Sequence, residues 1–265
     1  RPPRSTLFPY TTLFRSELAG AIRPDAVVIS FQNGIGNAQA LRTALPGRSV
    51  LAGMVPFNVV KHAPGAFHQA SEGEPEVEDA PALSPFLADF AQAGFALRRH
   101  RDMLPVQWAK LLLNLNNAVN ALSGLPLQQE LAQRDYRRCL ALAQAEALAF
   151  LKEAGLRPAR LTPLPAGWIP ALLRLPDALF ARFAGKMLAI DPSARSSMAD
   201  DLAAGRRTEV DWINGEVVRL AKRLGRKAPV NEHLSFLVRQ AESAPRPWSG
   251  EALLAQLYEA QARRG

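Results

Sequence analysis

The sequence predicts an α/β layer followed by an all-helical domain. Three observations carry that expectation. Short β-branched runs alternate with helical periods up to about residue 102, where a domain boundary is placed. From Met103 onward strand signals vanish, and Leu, Ala, Arg and Gln dominate nearly to the end. The chain has 265 residues, 48% hydrophobic and 21% charged, enough for a packed core and, at roughly 150 residues per domain, for one or two domains. No apolar run reaches the roughly 18 residues of a spanning helix, since Leu111–Leu115 is interrupted by Asn114. A soluble protein is expected.

Residues 1–16 are set apart. Thr6–Ser16 carries a near-repeat, no amphipathic period and no acid, and it resembles the in-frame translation of a sequencing-adapter oligonucleotide. It is expected to be a non-native head, with a targeting peptide as the alternative. That leaves an α/β piece over 17–102 and a helical domain over 103–265.

Within the α/β piece, Ala26–Phe31 reads as a buried strand ending in the tight turn Gln32-Asn33-Gly34-Ile35-Gly36. Asn37–Ala44 reads as a helix and Ser49–Val55 as a strand. Phe57–Val60 and Ala66–Ala70 are shorter strand candidates around Pro64-Gly65. Pro81–Ala93 reads as an amphipathic helix and Phe95–Arg98 as an edge strand. Beyond Met103, breaks are expected at Gly124-Leu125-Pro126, Gly155-Leu156-Arg157-Pro158 and the proline-rich Leu161–Pro170.

Thirty-two basic against 24 acidic residues give a net charge of +8. Three of the excess charges, Arg1, Arg4 and Arg15, lie in the head, and the other arginines are interleaved with Glu and Asp. Solvated helix faces account for most of this; attraction of a phosphate-bearing cofactor or acidic substrate is the functional alternative. A nucleic-acid module would need a one-sided basic stripe with aromatics, and beyond the Arg134, Arg137, Arg138 cluster there is none. Cys139 is the single cysteine, which excludes an intramolecular disulfide and fits a reducing cytoplasm. His62, His68, His100 and His233 show no ligand spacing, so no metal site is expected.

The most informative segment is Trp108–Asn120. At about 100° per residue, with Lys110 at 0°, Asn114 falls near 40° and Asn117 near −20°. Asn120 and Asn116 lie further round, and Leu111, Leu112, Leu115, Ala118, Val119 and Leu122 fill the opposite side. Each interior Asn costs about 0.6–0.7 kcal/mol of helix propensity against Ala, which solubility does not require. Carboxamides donate and accept hydrogen bonds without adding charge. Lys110 is one of six lysines against 26 arginines, and a desolvated ammonium is the side chain that gives up a proton near neutral pH. The stripe reads as ligand-facing with Lys110 as general acid; asparagines bridging a helix interface are the alternative.

The second segment runs from Ser196 to Gly215. Val210, Ile213, Val217, Leu220, Ala221 and Leu224 form a buried helical stripe, with Glu209 at the positive helix start and Ser197 as a candidate capping hydroxyl. Gly215 inside a helix costs about 1 kcal/mol against Ala, which suggests close approach by another backbone.

These pieces together resemble the ketopantoate reductase family over about residues 17–245. The resemblance rests on Asn33-Gly-x-Gly36 after a strand, on Trp108-x-Lys-Leu-x-x-Asn114, on Ser196-Ser-Met-x-x-Asp201 through Gly205-Arg-x-Thr-Glu-x-Asp-x-x-Asn-Gly215, and on Pro229-x-Asn231. It implies an incomplete Rossmann-type dinucleotide-binding domain, then a helical substrate domain. The implied activity is NADPH-dependent reduction of 2-dehydropantoate, a small 2-oxo acid, in the pantothenate route to coenzyme A. By the resemblance Lys110 is the general acid and Glu209 the carboxylate supporting substrate and lysine. Ser197 contacts the substrate carboxylate, Asn114 lies at the substrate end, and Asn33, Gly34 and Glu209 contact the cofactor. The family's further Asn falls on Ala118, so that contact stays open between Asn117 and Asn120. No nucleic-acid or membrane partner is implied, and homodimerisation is left open. The family's opening strand with Gly-x-Gly-x-x-Gly does not precede Glu17, so an N-terminally truncated chain is expected. Poor NADPH binding, impaired activity and an unpaired strand edge would follow. A related NADP-dependent 2-hydroxy or 2-oxo acid dehydrogenase and a non-catalytic fragment remain the competing readings.

Overall fold

The computed structural model describes residues 18–263 except 19, 58, 64, 70–72 and 186–190, so the head over 1–16 lies outside the described residues. The chain divides into two compact units, one through Lys110 and one from Leu111. The change of texture near residue 102 marks the start of a helix, whereas the division between units falls inside that helix.

In the first unit β1 (Val27–Ser30) runs parallel to β2 (Ser49–Met54), with Val27 opposite Ser49 and Ser30 opposite Ala52. Helix α1 (Asn37–Ala44) crosses between them. It buries Leu41 and Leu45 against Val50, with Val28, Leu18 and Ile22 at the edge of the cluster. A hairpin, β3 (Val59–Ala63) and β4 (Ala66–Gln69), forms a separate two-stranded sheet.

A strand absent from the sequence reading, β5 (Glu76–Glu78), pairs antiparallel with β2 and parallel with β6 (Arg98–His100). The sheet order is β1-β2-β5-β6. Its Glu-Val-Glu sequence carries no hydrophobic run, yet Val77 and Glu78 each have a reason to be there. Val77 is fully buried between Leu51 and Leu83. The Glu78 carboxylate accepts from the Ala52 N–H at 3.0 Å and pairs with Arg42 at 2.5 Å. The edge strand lies further along than Phe95–Arg98. Pro81–Ala93 is not one helix either: a 3₁₀ turn (Pro81–Phe86) precedes α2 (Leu87–Gln92). Pro85 has no N–H to donate to an α-helical ladder.

The helix α3 (Leu104–Asn114) leads into the second unit and is followed, after the single residue Leu115, by α4 (Asn116–Ser123). Then come α5 (Leu127–Ala132), the 20-residue α6 (Arg134–Glu153), α7 (Ile169–Leu173) and α8 (Asp177–Phe183). The set ends with α9 (Ser197–Ala203), α10 (Val210–Arg223), α11 (Pro229–Ser243) and α12 (Gly250–Ala262). The breaks at Gly124–Pro126, Gly155–Pro158 and within 161–170 fall between these helices. Helix α6 is the axis, packing against α4, α5, α7, α10, α11 and α12. Its small residues Cys139, Ala141, Ala143 and Ala147 have no exposed surface, and short side chains let neighbouring helices approach closely. An α/β layer followed by a helical domain is therefore the observed class.

Candidate active site

From Gln107 through α3 and α4 to the capping Gly124, the half-buried positions are Gln107, Lys110, Leu113, Asn114, Asn117, Ala121 and Gly124, while the residues between them are buried. Apart from Leu113, that is an alternation of three- and four-residue steps, one continuous helical stripe. Lys110, Asn114 and Asn117 share it. Burial holds the Lys110 ammonium below the ordinary lysine range, because a less hydrated site penalises the charged form.

The other two asparagines are directed inward. Asn120 is fully buried, and its amide is saturated. Its Nδ2 donates to Leu125 O at 3.0 Å and Glu130 Oε2 at 3.3 Å, and its Oδ1 accepts the Ser196 N–H at 2.9 Å. Substrate contact by Asn120 is thereby overturned: it has no exposed surface and no free donor to offer. Of the two positions left open by the Ala118 departure, Asn117 is the one on the accessible stripe. Asn116 is buried too, donating from Nδ2 to Glu130 Oε2 at 3.0 Å. The phase reading placed Asn116 and Asn120 beside the stripe rather than in the core because helical phase does not reveal the carboxyl of Glu130 that holds them.

Helix α9 begins at the far end of this network. Its capping hydroxyl is Ser196, not Ser197: Ser196 Oγ accepts from the Ala199 N–H at 3.1 Å and donates to Asn117 O at 3.3 Å. Ser197 is the next residue and is exposed, so its hydroxyl stands at the helix start without serving as the cap. The network therefore brings Ser197 to the segment that carries Asn117.

The rest of the long motif is mostly framework. Arg206 donates to Asp201 at 2.8 Å, and Thr208 donates from N and Oγ1 to Glu242 Oε1, both at 2.8 Å. The first bond ties the α9–α10 loop to α9, and the Thr208 bonds tie it to α11. Glu209, nearly buried, is the N-cap residue of α10, where its backbone oxygen receives the Trp212 and Ile213 N–H groups. A carboxylate at this position suits the positive helix end. Asn214 and Asn231, both fully buried, are joined at 3.0 Å, and Asn231 donates onward to Ala143 O and Glu146. Gly215 corrects another expectation. The nearest atoms a Cβ there would meet belong to Arg219, Asp211 and Val210 of its own helix, each at 3.7 Å, so no other backbone comes closer than ordinary contact.

In the first unit, Asn33–Gly36 forms the turn after β1, with Gly34 at φ +93°, a conformation that favours glycine. Asn37 Nδ2 donates to Asn33 O at 2.6 Å and braces the turn. A Cβ added at Gly36 would meet nothing within 4 Å, so the start of α1 faces open space. A turn and helix start at the carboxyl end of a parallel strand fit one end of a dinucleotide. Among the described residues no group of three or more His, Cys, Asp or Glu can hold a metal ion, and no helix is long and apolar enough to cross a membrane.

Sequence reasoning missed Ser196, Glu130 and Glu242. Ser196 leaves the usual signal of a cap, a serine just before a helix, but Ser197 leaves the same one. A lone Glu130 or Glu242 in a helical run leaves none.

Two family models match: ketopantoate reductase PanE/ApbA over residues 11–82 and its C-terminal model over residues 102–242. The first match begins inside the segment set apart as the head. A 2-dehydropantoate 2-reductase of Pyrobaculum aerophilum is 30% identical over 219 residues, 82% of this chain and 70% of that protein. The protein of the same name in Caulobacter vibrioides is 27% identical, over 84% of this chain and 71% of its own. Among solved structures, a PanE/ApbA family ketopantoate reductase from Ralstonia eutropha JMP134 superposes with a TM-score of 0.73 at 28% identity, covering 89% of this chain and 73% of that one. The fold extends further: D-mandelate dehydrogenase, in its ternary structure with NADH and anilino(oxo)acetate, has a TM-score of 0.70 at 17% identity, covering 89% and 74%. With one model matching more than half of its length and a relative at this identity and coverage, the chain belongs to the ketopantoate reductase family.

Proposed function

We propose that this chain is a 2-dehydropantoate 2-reductase that uses NADPH and serves pantothenate and coenzyme A formation in the cytoplasm. The observation that carries the reading is the half-buried stripe of Lys110, Asn114 and Asn117, with the lysine held below its ordinary range. The names of the relatives support the substrate, and neighbours of the same fold solved with NADH support a nicotinamide cofactor. Asn33 and Gly34, in the turn after β1, would hold that cofactor's nicotinamide end. When bound, NADPH supplies a hydride to the ketone carbon.

The remaining chemistry belongs to the protein. Lys110 Nζ hydrogen-bonds the ketone oxygen, polarises the carbonyl, and gives up its proton as that oxygen becomes a hydroxyl. A lowered pKa makes that transfer easier. Asn114 and Asn117 orient the polar substrate with neutral hydrogen bonds, which do not compete for the proton. Ser197 donates to the substrate carboxylate. Glu209, at the start of α10, is the carboxylate that supports the substrate.

The test is NADPH oxidation by the purified chain with 2-dehydropantoate and a panel of other 2-oxo acids. Preferential turnover of 2-dehydropantoate supports the assignment. Turnover of another 2-oxo acid in its place would instead assign the related dehydrogenase activity.

A further inference from the structure

The reaction proposed above makes no use of Glu130, a carboxyl with no exposed surface in α5. Its Oε2 accepts from Asn116 Nδ2 and Asn120 Nδ2 at 3.0 and 3.3 Å. Its Oε1 and the Oδ1 of Asn116 are both buried with no partner. Two orphaned acceptors thus sit on two groups already joined by one hydrogen bond. A single proton satisfies both, because a neutral carboxylic acid and a carboxamide each offer one donor and one acceptor to the other.

We propose that Glu130 is a positioning residue acting as a neutral acid: one proton joins its Oε1 to Asn116 Oδ1, and the pair, with Asn120, holds the Ser196–Ser197 helix start against α4. The surroundings favour the neutral form. Helix α4 presents only the two carboxamides. From α6, the Tyr136 phenol and Cys139 thiol feel Glu130, and both are pushed up, first by burial and also by its charge. The Arg137 guanidinium of α6 is committed to the carbonyls of Leu131, Ala132, Leu173 and Leu175 and to Asp177. Burial pushes the Glu130 carboxyl up to about 8, against the pull of its two amide donors. Since that lies above the ordinary 4.5, the stabilisation is complete below the ordinary value and lost as pH rises through the folded one.

From Asn120 the connection is direct. Its Oδ1 receives the Ser196 N–H, and Ser196 in turn caps α9 and bonds Asn117 O. That Ser197 and Asn117 touch substrate rests on the function proposed above; the proton and the docking of the helix do not.

The experiment compares the whole chain with E130Q and E130A by infrared spectroscopy and by amide hydrogen exchange, neither of which needs turnover. A protonated-carboxyl band is expected at pH 7, fading as pH passes about 8 and missing in E130Q. Protection of the Ser196 amide is expected to survive in E130Q, whose neutral amide reproduces one donor and one acceptor. In E130A it should fall about tenfold or more relative to α12 amides, about 1.4 kcal/mol. Where E130A does not fold, E130Q with N116L, which removes the partner, decides the matter in the same way. Absence of the band at pH 7, or Ser196 protection in E130A or N116L equal to that of the unaltered chain, overturns the proposal. A chain that passes both readings but does not reduce 2-dehydropantoate refutes the reaction and not the role of Glu130.

Discussion

Two pairs of asparagines within seven residues of one helical stretch do opposite work. Asn114 and Asn117 lie on the half-buried stripe with Lys110, while Asn116 and Asn120 turn into the core and are held by Glu130, Leu125 and Ser196. What separates them is exposure: an inward asparagine bonded to Glu130 helps hold the site together, and an outward one keeps surface that a ligand can reach. The contrast shows how one residue type builds both the wall and its support.

The largest effect expected on either side of this comparison is at its centre. K110A should lower kcat with 2-dehydropantoate by about 100-fold or more, the usual contribution of a positioned general acid, with thermal stability nearly unchanged. In the unaltered enzyme kcat should fall as pH rises, on a limb below the ordinary lysine range, because deprotonation of the ammonium removes the acid. A profile with no such limb would detach Lys110 from proton transfer.

Next in size is the inward pair. N120A leaves the Ser196 N–H and the Leu125 carbonyl without their partner in the interior, and should cost about 2–4 kcal/mol in urea unfolding. The outward partner responds in the other observable. N117A should leave unfolding within about 0.5 kcal/mol while raising KM for 2-dehydropantoate about 3- to 10-fold, the loss of one hydrogen bond. If N117A were the destabilising variant and N120A the one that raised KM, the division between outer and inner asparagines would be reversed.

How far such a division is visible without coordinates depends on where the signal lives. β1, α1 and β2 were legible as Ala26–Phe31, Asn37–Ala44 and Ser49–Val55 because apolar runs and turn residues are local. β5 was not, because its Glu78 is stabilised by Arg42 and a β2 amide more than 25 residues away in sequence. Lys110, Asn114 and Asn117 were legible as one stripe, since helical phase holds over two turns. Asn120 was misread because phase gives direction only; saturation of its amide depends on Glu130 and Ser196, the latter 76 residues on. The cap slipped by one residue for a related reason: two adjacent serines carry the same propensity, and only the backbone at Ser196, extended at φ −73°, ψ 152°, decides between them.

The smallest expected effect tests a similar confusion of motif with contact. Gly215 lies mid-helix in the long motif, where sequence reasoning infers a neighbour too close for a side chain. The space around it is ordinary: the nearest atoms to an added Cβ are 3.7 Å away and belong to its own helix. With no clash to offset the gain in helix propensity, G215A should stabilise the chain by up to about 1 kcal/mol, read as a rise in urea midpoint at constant slope. Should G215A instead destabilise, a close approach at this helix face would be restored. Should it stabilise but raise KM, the glycine would serve a ligand rather than the fold, placing it with the outer asparagines instead of the inner ones.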